Sequence, residues 1–205
     1  MIGNKLLWKD HVAYVCKKIN KFVGIFYKIR KNVPMNIMKT IYNSLLLPHI
    51  TYGIELWGGA AKTVLLPILK IQKKVVRCIS FSHFLAHTRP LFDALKIFDI
   101  YQQYVFNLGL LSFKILKNNL SISYGICINP VTEVHSHNTR FSHRNVAVRR
   151  YNIKFGSNSV NNRIISIWNK LPQSLKSLSY QQKRKFKNEF RLLVSNCDDV
   201  LLTFL

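Results

Sequence analysis

Apolar residues recur at three- and four-residue intervals along much of the chain, which is the spacing of an amphipathic helix. Between residues 9 and 29 this set is Val12, Val15, Ile19, Phe22, Val23 and Phe26. At about 100° per residue these side chains gather on one face. The same spacing predicts four further helices, at residues 63–79, 100–117, 158–170 and 180–195. The pattern is typical of a mainly α fold.

Shorter helices are expected between these long ones. Pro34 suits a first helical turn, and a helix from there would continue until Pro48 stops or kinks it. Its inward residues would be Ile37, Ile41, Leu45 and Leu46. Residues 50–57 are ambiguous between a short helix and a strand, and the Gly58-Gly59 pair ends them. Residues 89–99 are predicted as a further helix.

Two polar residues stand out against the helical pattern. Gln72 lies inside the apolar stripe of residues 63–79, so it needs a buried hydrogen-bond partner. Ser179 immediately precedes the last predicted helix and is a suitable N-cap for it. The first observation predicts a buried polar contact, and the second predicts where the last helix begins.

A shift in composition divides the chain. Residues 118–138 are rich in Asn, Ser, Gly and Pro, as linkers are. We therefore predict a helical bundle over residues 1–117, a linker over 118–138, and a smaller basic α or α+β C-terminal lobe with terminal helices over 139–205. Alternating apolar residues within 140–154 would supply a strand or two of that lobe.

The charge balance is strongly positive. Lys and Arg total 31 against 8 Asp and Glu, for a formal net charge of +23. Self-repulsion of this size destabilises a compact chain unless a polyanion or counterions screen it. Since 48% of residues are hydrophobic and 12% aromatic, the chain has the material for a core, and general disorder is not expected. Nucleic acid is the first partner to expect.

The positive charges are clustered on predicted helix faces. Lys17, Lys21 and Lys28 lie opposite the apolar face of residues 9–29, with Lys18 at the margin, and residues 70–77 repeat the arrangement. The candidate phosphate-binding residues are Lys17, Lys18, Lys21, Lys28, Lys70, Lys73, Lys74, Arg77, Arg140, Arg144, Arg149 and Arg150. One such cluster is ordinarily a solvated face. Several such clusters in a chain with so few acids favour binding to a nucleic-acid phosphate backbone. Binding to an anionic membrane surface is the alternative.

No membrane span or secretory signal is predicted. The most apolar stretch, residues 41–57, is interrupted by polar residues and offers no run of about 18 apolar ones. The four cysteines are scattered and form no C-x-x-C pair, which argues against a disulfide framework. We expect an intracellular protein, nuclear or cytoplasmic.

The sequence offers no self-contained catalytic site. The adjacent acidic pair Asp198-Asp199 stands near the end of the sequence, and neither a phosphate-binding G-x-x-x-x-G-K-[ST] loop nor a G-x-S-x-G motif occurs. Cysteines and histidines of the types that bind zinc are loosely spaced along the chain, but their spacings fit no familiar zinc finger. Those residues are Cys78, His83, His87, Cys127, His135 and His137. We predict no catalytic residue, no metal ligand and no cofactor in this chain.

Six short motifs occur in order along the chain. They are L-L-W-K-D-H-V at 6–12, I-Y-N-S-L-L-L-P-H-I-T-Y-G-I-E-L-W at 41–57, I-Q-K-K-V-V-R at 71–77, H-T-R-P-L-F-D-A-L-K-I-F-D-I at 87–100, H-N-T-R at 137–140 and I-W-N-K-L-P at 167–172. Together they resemble the region after the palm in LINE-type (non-LTR), jockey-like retrotransposon reverse transcriptases.

That resemblance implies a role for the bundle and a limit on its activity. The helical region after the palm is the thumb, which grips template–primer RNA, DNA or RNA–DNA hybrid along the backbone. The palm holds Mg²⁺ on paired aspartates, which have no counterpart here, so the chain would be a truncated fragment, with Met1 an internal methionine. It would be inert alone, with the missing palm as a possible partner. The alternatives are a free-standing basic nucleic-acid-binding module and a non-functional relic.

Overall fold

The computed structural model describes residues 8–118, 145–148, 150, 152, 156, 158–197, 199 and 204. The chain forms two compact units, Met1–Tyr104 and Val105–Leu205. The described residues are mainly helical, which confirms the predicted mainly α fold. The unit boundary falls within a helix, and the predicted linker 118–138 lies outside the described residues except for Asn118. The three-part division of the chain stays a prediction.

Unit 1 contains six helices among its described residues and the start of a seventh. They are α1 (Lys9–Ile29), α2 (Met35–Ile41), α3 (Leu47–Thr51), α4 (Ile54–Trp57), α5 (Lys62–Ile79), α6 (Arg89–Leu95) and α7 (Ile100–Lys117). The predicted bounds of α1 and α7 are confirmed, and α5 begins one residue earlier than predicted. Residues 50–57 are helical except for a turn at residues 52–53. The helix predicted over 89–99 ends at Leu95, where Lys96 takes a left-handed conformation.

The helices α1 and α5 pack on each other and supply much of the unit 1 core. On α1 the buried side chains are Val12, Val15, Ile19 and Phe26. They recur at three-, four- and seven-residue spacing, so one stripe of the helix leaves water. The buried stripe of α5 includes Leu65, Ile68, Val75, Val76 and Ile79. Each fully buried side chain of this size contributes roughly 1.5–3 kcal/mol.

The inward face predicted for residues 34–48 is wrong at two positions. Ile37 and Leu45 are exposed, whereas Met38 and Tyr42 are fully buried. A π-helical turn at Tyr42–Leu46, just before Pro48, accounts for the second position only, since Ile37 and Met38 precede it. Proline has no N–H and its ring crowds the preceding turn, and the wider turn changes which side chains face inward from there. Pro48 therefore does not end the helical segment, which continues into α3.

The Gly58-Gly59 pair follows α4, as predicted, and the structure adds a packing reason for it. A Cβ atom at Gly58 would overlap the ring of Tyr104, and one at Gly59 would lie against the Tyr104 hydroxyl. The two glycines thus allow a fully buried tyrosine of α7 to approach the backbone after α4.

Gln72 is completely buried, and the polar contact predicted for it is present. Its Nε2 donates to Tyr42 Oη at 2.9 Å and to the Phe98 carbonyl at 3.4 Å. Among the described residues Gln72 Oε1 has no hydrogen-bond partner. Burial raises the pKa of Tyr42 well above its usual value, so this hydroxyl stays neutral. The pair joins α5 to the π-helical turn inside the unit 1 core.

Replacing Gln72 with Leu is expected to lower the free energy of unfolding by about 1–3 kcal/mol, because the Tyr42 hydroxyl loses its buried partner. The double change Gln72→Leu/Tyr42→Phe should lose less than the two single changes summed, since both polar groups are then gone. Urea unfolding followed by circular dichroism measures all four chains. Strictly additive losses would show that the two side chains are not coupled.

Asp99 begins α7 with a reciprocal capping pair. Its Oδ1 accepts hydrogen bonds from the backbone N–H of Tyr101 at 2.9 Å and of Gln102 at 2.8 Å. Gln102 Oε1 accepts in turn from the Asp99 backbone N–H at 3.2 Å. This is a capping box with Asp and Gln in the two roles. Burial raises the pKa of Asp99 above its usual 3.8, against these hydrogen bonds, which lower it.

The raised pKa of Asp99 makes its contribution to stability depend on pH. The contribution is complete below the unfolded pKa and declines as pH rises through the folded pKa, since the folded state then disfavours the charge. Asn caps helices as well as Asp but carries no charge. Asp99→Asn should therefore gain stability relative to the natural chain over the pH range that begins at about 4, where the carboxyl ionises in the unfolded chain. Urea titrations across that range test this, and a pH-independent difference would contradict it.

Unit 2 packs the second part of α7 against the last helices. They are α8 (Val160–Lys170), α9 (Gln173–Lys176) and α10 (Lys183–Ser195), with a 3₁₀ turn at Tyr180–Gln182. The predicted Ser179 cap is confirmed as a capping box with Gln182, although it opens the 3₁₀ turn rather than α10 itself. Phe186 stacks on Phe113 with ring centroids 4.1 Å apart. A Cβ at Gly109 would overlap the Phe190 ring, so α7 and α10 approach closely there.

The strands expected within 140–154 fall largely outside the described residues. Of the residues described there, Val146 exchanges backbone hydrogen bonds with the Asn169 side chain, at 2.9 Å and 2.8 Å. Asn169 lies on α8, so this segment is held by a helix side chain at that point. No β-strand occurs in the parts of the chain that the structure describes.

Candidate nucleic-acid interface

A row of three exposed lysines runs along α1. Lys17, Lys21 and Lys28 lie on the side opposite Ile19 and the other buried residues. With a rise of 1.5 Å per residue, the row spans roughly 16 Å of the helix. Lys18, at its margin, holds its ammonium 4.7 Å from the ring centroid of Tyr14. We call Lys17, Lys21 and Lys28 the α1 row.

The charge around the α1 row is almost entirely positive. From residue 11 to residue 54 the sequence contains no Asp or Glu. Asp10 is exposed at the start of α1, and it lies two turns before Lys17. A phosphate backbone placed along this side of the helix would meet three ammonium groups, each of which releases counterions on contact.

The cations predicted on α5 differ in how exposed they are. Lys70 and Lys74 are exposed and Lys73 is half-buried. Arg77 is also half-buried, and its Nε donates to the Ala86 carbonyl at 2.9 Å. Arg77 thus helps to hold the segment after α5 in place. We call Lys70, Lys74 and Arg77 the α5 row, because their spacing of four and three residues places them on one side of the helix.

The structure does not bring the two rows together. The helices α1 and α5 pack on each other, and each row lies on the side of its helix opposite to the buried residues. The α1 row and the α5 row therefore point away from their shared interface in different directions. One nucleic-acid strand following one helix would not also follow the other.

The predicted cations of the C-terminal lobe are only partly described. Arg140, Arg144 and Arg149 lie outside the described residues, and Arg150 is exposed. On α10, Arg184, Lys187 and Arg191 share an exposed side at i, i+3 and i+7. These three cations are not among the candidates predicted above, and the Arg191 guanidinium lies 5.9 Å from the Phe106 ring centroid. Its helical spacing from Arg184 and Lys187 was the available signal.

Among the described residues no three His, Cys, Asp or Glu side chains lie together as metal ligands would. The described residues therefore offer no set of donor atoms that fits the Mg²⁺ ions of a polymerase. Cys78 is buried in α5, and burial raises the pKa of its thiol. The His83 ring lies 4.4 Å from the Phe84 ring, centroid to centroid. Cys127, His135 and His137 lie outside the described residues.

Several large apolar side chains of α2, the π-helical turn and the segment up to α4 are exposed. They are Met35, Ile37, Leu45, Tyr52 and Leu56. Single exposed apolar residues are ordinary, whereas a contiguous patch of them is typical of an interaction surface. In the part of the chain that the structure describes, no helix combines the length and apolar character that crossing a bilayer requires.

Comparison with known proteins gives a limited relationship. No family model matches the chain, and no solved structure matches it. A curated protein, the probable RNA-directed DNA polymerase from transposon X-element of Drosophila melanogaster, is 24% identical to it over 106 residues. That stretch is 50% of this chain and 12% of the polymerase. The chain is thus similar to a small part of a transposon RNA-directed DNA polymerase, which supports an origin related to reverse transcriptases.

Proposed function

We propose that this chain is the thumb and downstream region of a retrotransposon reverse transcriptase and binds template–primer nucleic acid along its backbone. The observation that carries the proposal is the α1 row, three exposed lysines on one side of a 21-residue helix. The similarity to a transposon RNA-directed DNA polymerase supports it. The LINE-type, jockey-like assignment rests on the ordered motifs and belongs to the same proposal.

The chemistry of the α1 row suits binding without sequence preference. Lysine presents a flexible point charge rather than a planar fork, so it contacts phosphate without reading a base edge. A polymerase must hold any template, and phosphate contacts meet that requirement. The +23 net charge would add long-range attraction that falls as salt increases.

The proposal assigns no catalysis to this chain alone. Of the described acids, Asp99 caps α7, Asp93 pairs with Arg89 at 3.6 Å, and Glu189 pairs with Lys185 at 3.9 Å. Mg²⁺ would be supplied and held by a palm, which is also the partner we propose for the exposed apolar side chains of residues 35–56.

Binding of the whole chain to three ligands tests the proposal. The ligands are an RNA–DNA hybrid, single strands of the same sequences, and vesicles with anionic lipid, each titrated at several salt concentrations. Hybrid binding with a steep negative salt slope and no sequence preference is expected. Strong vesicle binding with weak nucleic-acid binding would contradict the proposal.

The exposed apolar side chains favour the thumb proposal, in which a palm covers them, over a free-standing nucleic-acid-binding module. A free-standing binding module would remain monomeric with Met35, Ile37 and Leu45 in water. Without a covering segment, such a surface promotes association. Light scattering of the purified chain distinguishes the two, since the thumb proposal predicts self-association that Ile37→Lys/Leu45→Lys reduces, and a monodisperse natural chain favours the free-standing module.

A further inference from the structure

Residues 80–87, between α5 and α6, form a loop that presents apolar rings to solvent. We call it the aromatic loop. Phe84 is 69% exposed, Leu85 is 71% exposed and Phe81 is 46% exposed. The His83 ring lies 4.4 Å from the Phe84 ring, centroid to centroid. Most of the Phe84 ring therefore remains available to a flat ligand.

The aromatic loop is fixed by hydrogen bonds and by two arginines. Within it, Ser82 N–H donates to the Arg77 carbonyl at 3.1 Å, and Ala86 N–H donates to the His83 carbonyl at 3.0 Å. Arg77 Nε donates a hydrogen bond to the Ala86 carbonyl at 2.9 Å. Arg30, at the end of α1, donates to the Ser82 carbonyl at 3.3 Å and lies over the Phe81 ring at 5.4 Å.

Phe81 ends α5 in a Schellman motif. Its φ of 55° is in the left-handed region. Its N–H donates to the Cys78 carbonyl at 3.3 Å, and the Ser82 N–H donates to the Arg77 carbonyl at 3.1 Å. This is a common way for a helix to end, and it fixes where the aromatic loop leaves α5.

The aromatic loop is continuous with the α5 row. Arg77 belongs to the row and contacts the loop directly. Lys74 and Lys70 lie one and two turns earlier on the same side, so the row extends roughly 10 Å along the helix. From residue 56 to residue 92 the sequence contains no Asp or Glu. We treat the aromatic loop and the α5 row as one surface, because Arg77 belongs to the row and holds the loop.

We propose that this surface binds single-stranded nucleic acid, with an unpaired base stacked on Phe84 and the adjoining phosphates on Lys70 and Lys74. An exposed aromatic ring stacks any base through its face, and a line of cations follows the backbone. The α5 row leads away from the loop along roughly 10 Å of helix, as the phosphates of a bound strand would. The inference rests on the proposed function only in that both surfaces take nucleic acid.

The test compares single-strand and duplex binding by fluorescence anisotropy. Phe84→Ala should weaken binding of a labelled 16-nucleotide single strand by about 5- to 100-fold, which is the loss expected for one stacked base. Duplex affinity should change less than about 2-fold. Phe84→Trp should retain single-strand binding, because the indole also stacks. Leu85→Ala is the matched control, since Leu85 is equally exposed but has no ring, and it should have no effect.

Each contrary result has a distinct meaning. Duplex binding through the α1 row, with single-strand binding unchanged in Phe84→Ala, overturns this inference and leaves the proposed function intact. Equal losses in Phe84→Ala and Leu85→Ala, together with stronger binding to vesicles containing anionic lipid, identify a membrane loop and also overturn it. A natural chain that binds neither form of nucleic acid overturns both proposals.

Discussion

Replacing Lys17, Lys21 and Lys28 together with Gln should weaken duplex binding by on the order of 100- to 1,000-fold at about 0.1 M salt. Each phosphate contact contributes about 0.9 to the slope of log affinity against log salt, so the slope should become shallower by about 2.7. The loss should be alike on all sequences, because the α1 row makes no base contact. Anisotropy titrations of unrelated hybrids across a salt series measure both quantities.

A matched pair of variants separates the position of the charges from their number. Lys17→Gln/Lys21→Gln and Lys70→Gln/Lys74→Gln each remove two exposed charges spaced four residues apart on a unit 1 helix. Because salt at about 0.1 M screens charges beyond roughly 10 Å, only the first pair should flatten the duplex salt slope. Equal effects of the two pairs would mean that the net charge of the chain, and not the α1 row, drives binding.

Replacing Trp57 with Ala should lower the free energy of unfolding by about 3–5 kcal/mol. The side chain is 2% exposed, and its Nε1 donates to the Tyr52 carbonyl at 3.0 Å. Its ring also lies 5.4 Å from the His11 ring, so the substitution leaves a cavity beside α1. The measurement is urea unfolding, with the two units followed by separate probes because they need not unfold together.

Two control variants make the Trp57→Ala result interpretable. Trp57→Phe retains most of the buried ring and should lose only about 1–2 kcal/mol, chiefly the hydrogen bond to Tyr52. Tyr52→Ala, at a side chain that is 80% exposed, should leave stability nearly unchanged. A stable Trp57→Ala chain that no longer binds nucleic acid would instead show that this ring contacts the ligand.

Local periodicity was sufficient to predict α1, because its pattern requires only that one side leave water. The long apolar run of α7 predicted a helix too, and that helix is buried on most sides. Periodicity was not sufficient for residues 35–46. There Met38 and Tyr42 are buried while Ile37 and Leu45 are exposed. From Tyr42 onward the register depends on a π-helical turn, which the spacing of apolar residues does not encode. Gln72 was the reverse case, since an amide inside an apolar stripe required a partner that tertiary packing then supplied.

In the candidate sites too, features set within one helix could be predicted from the sequence, and features set by tertiary contacts could not. The exposure of Lys17, Lys21 and Lys28 follows from their helical spacing. The divergence of the α1 row and the α5 row follows from which faces pack together, and no single-helix pattern contains that. The aromatic loop depends on Arg30, 52 residues away from the Ser82 carbonyl it holds. A contact across that separation leaves no periodic signal.

Lysine footprinting tests the central claim most directly. The chain is treated with an amine-reactive reagent alone and in complex with an RNA–DNA hybrid, and each lysine is quantified by mass spectrometry. The account predicts that the hybrid protects Lys17, Lys21 and Lys28 while Lys70 and Lys74 remain reactive. If the hybrid binds and the α1 row is modified as fast as in the free chain, the α1 row does not hold the phosphate backbone.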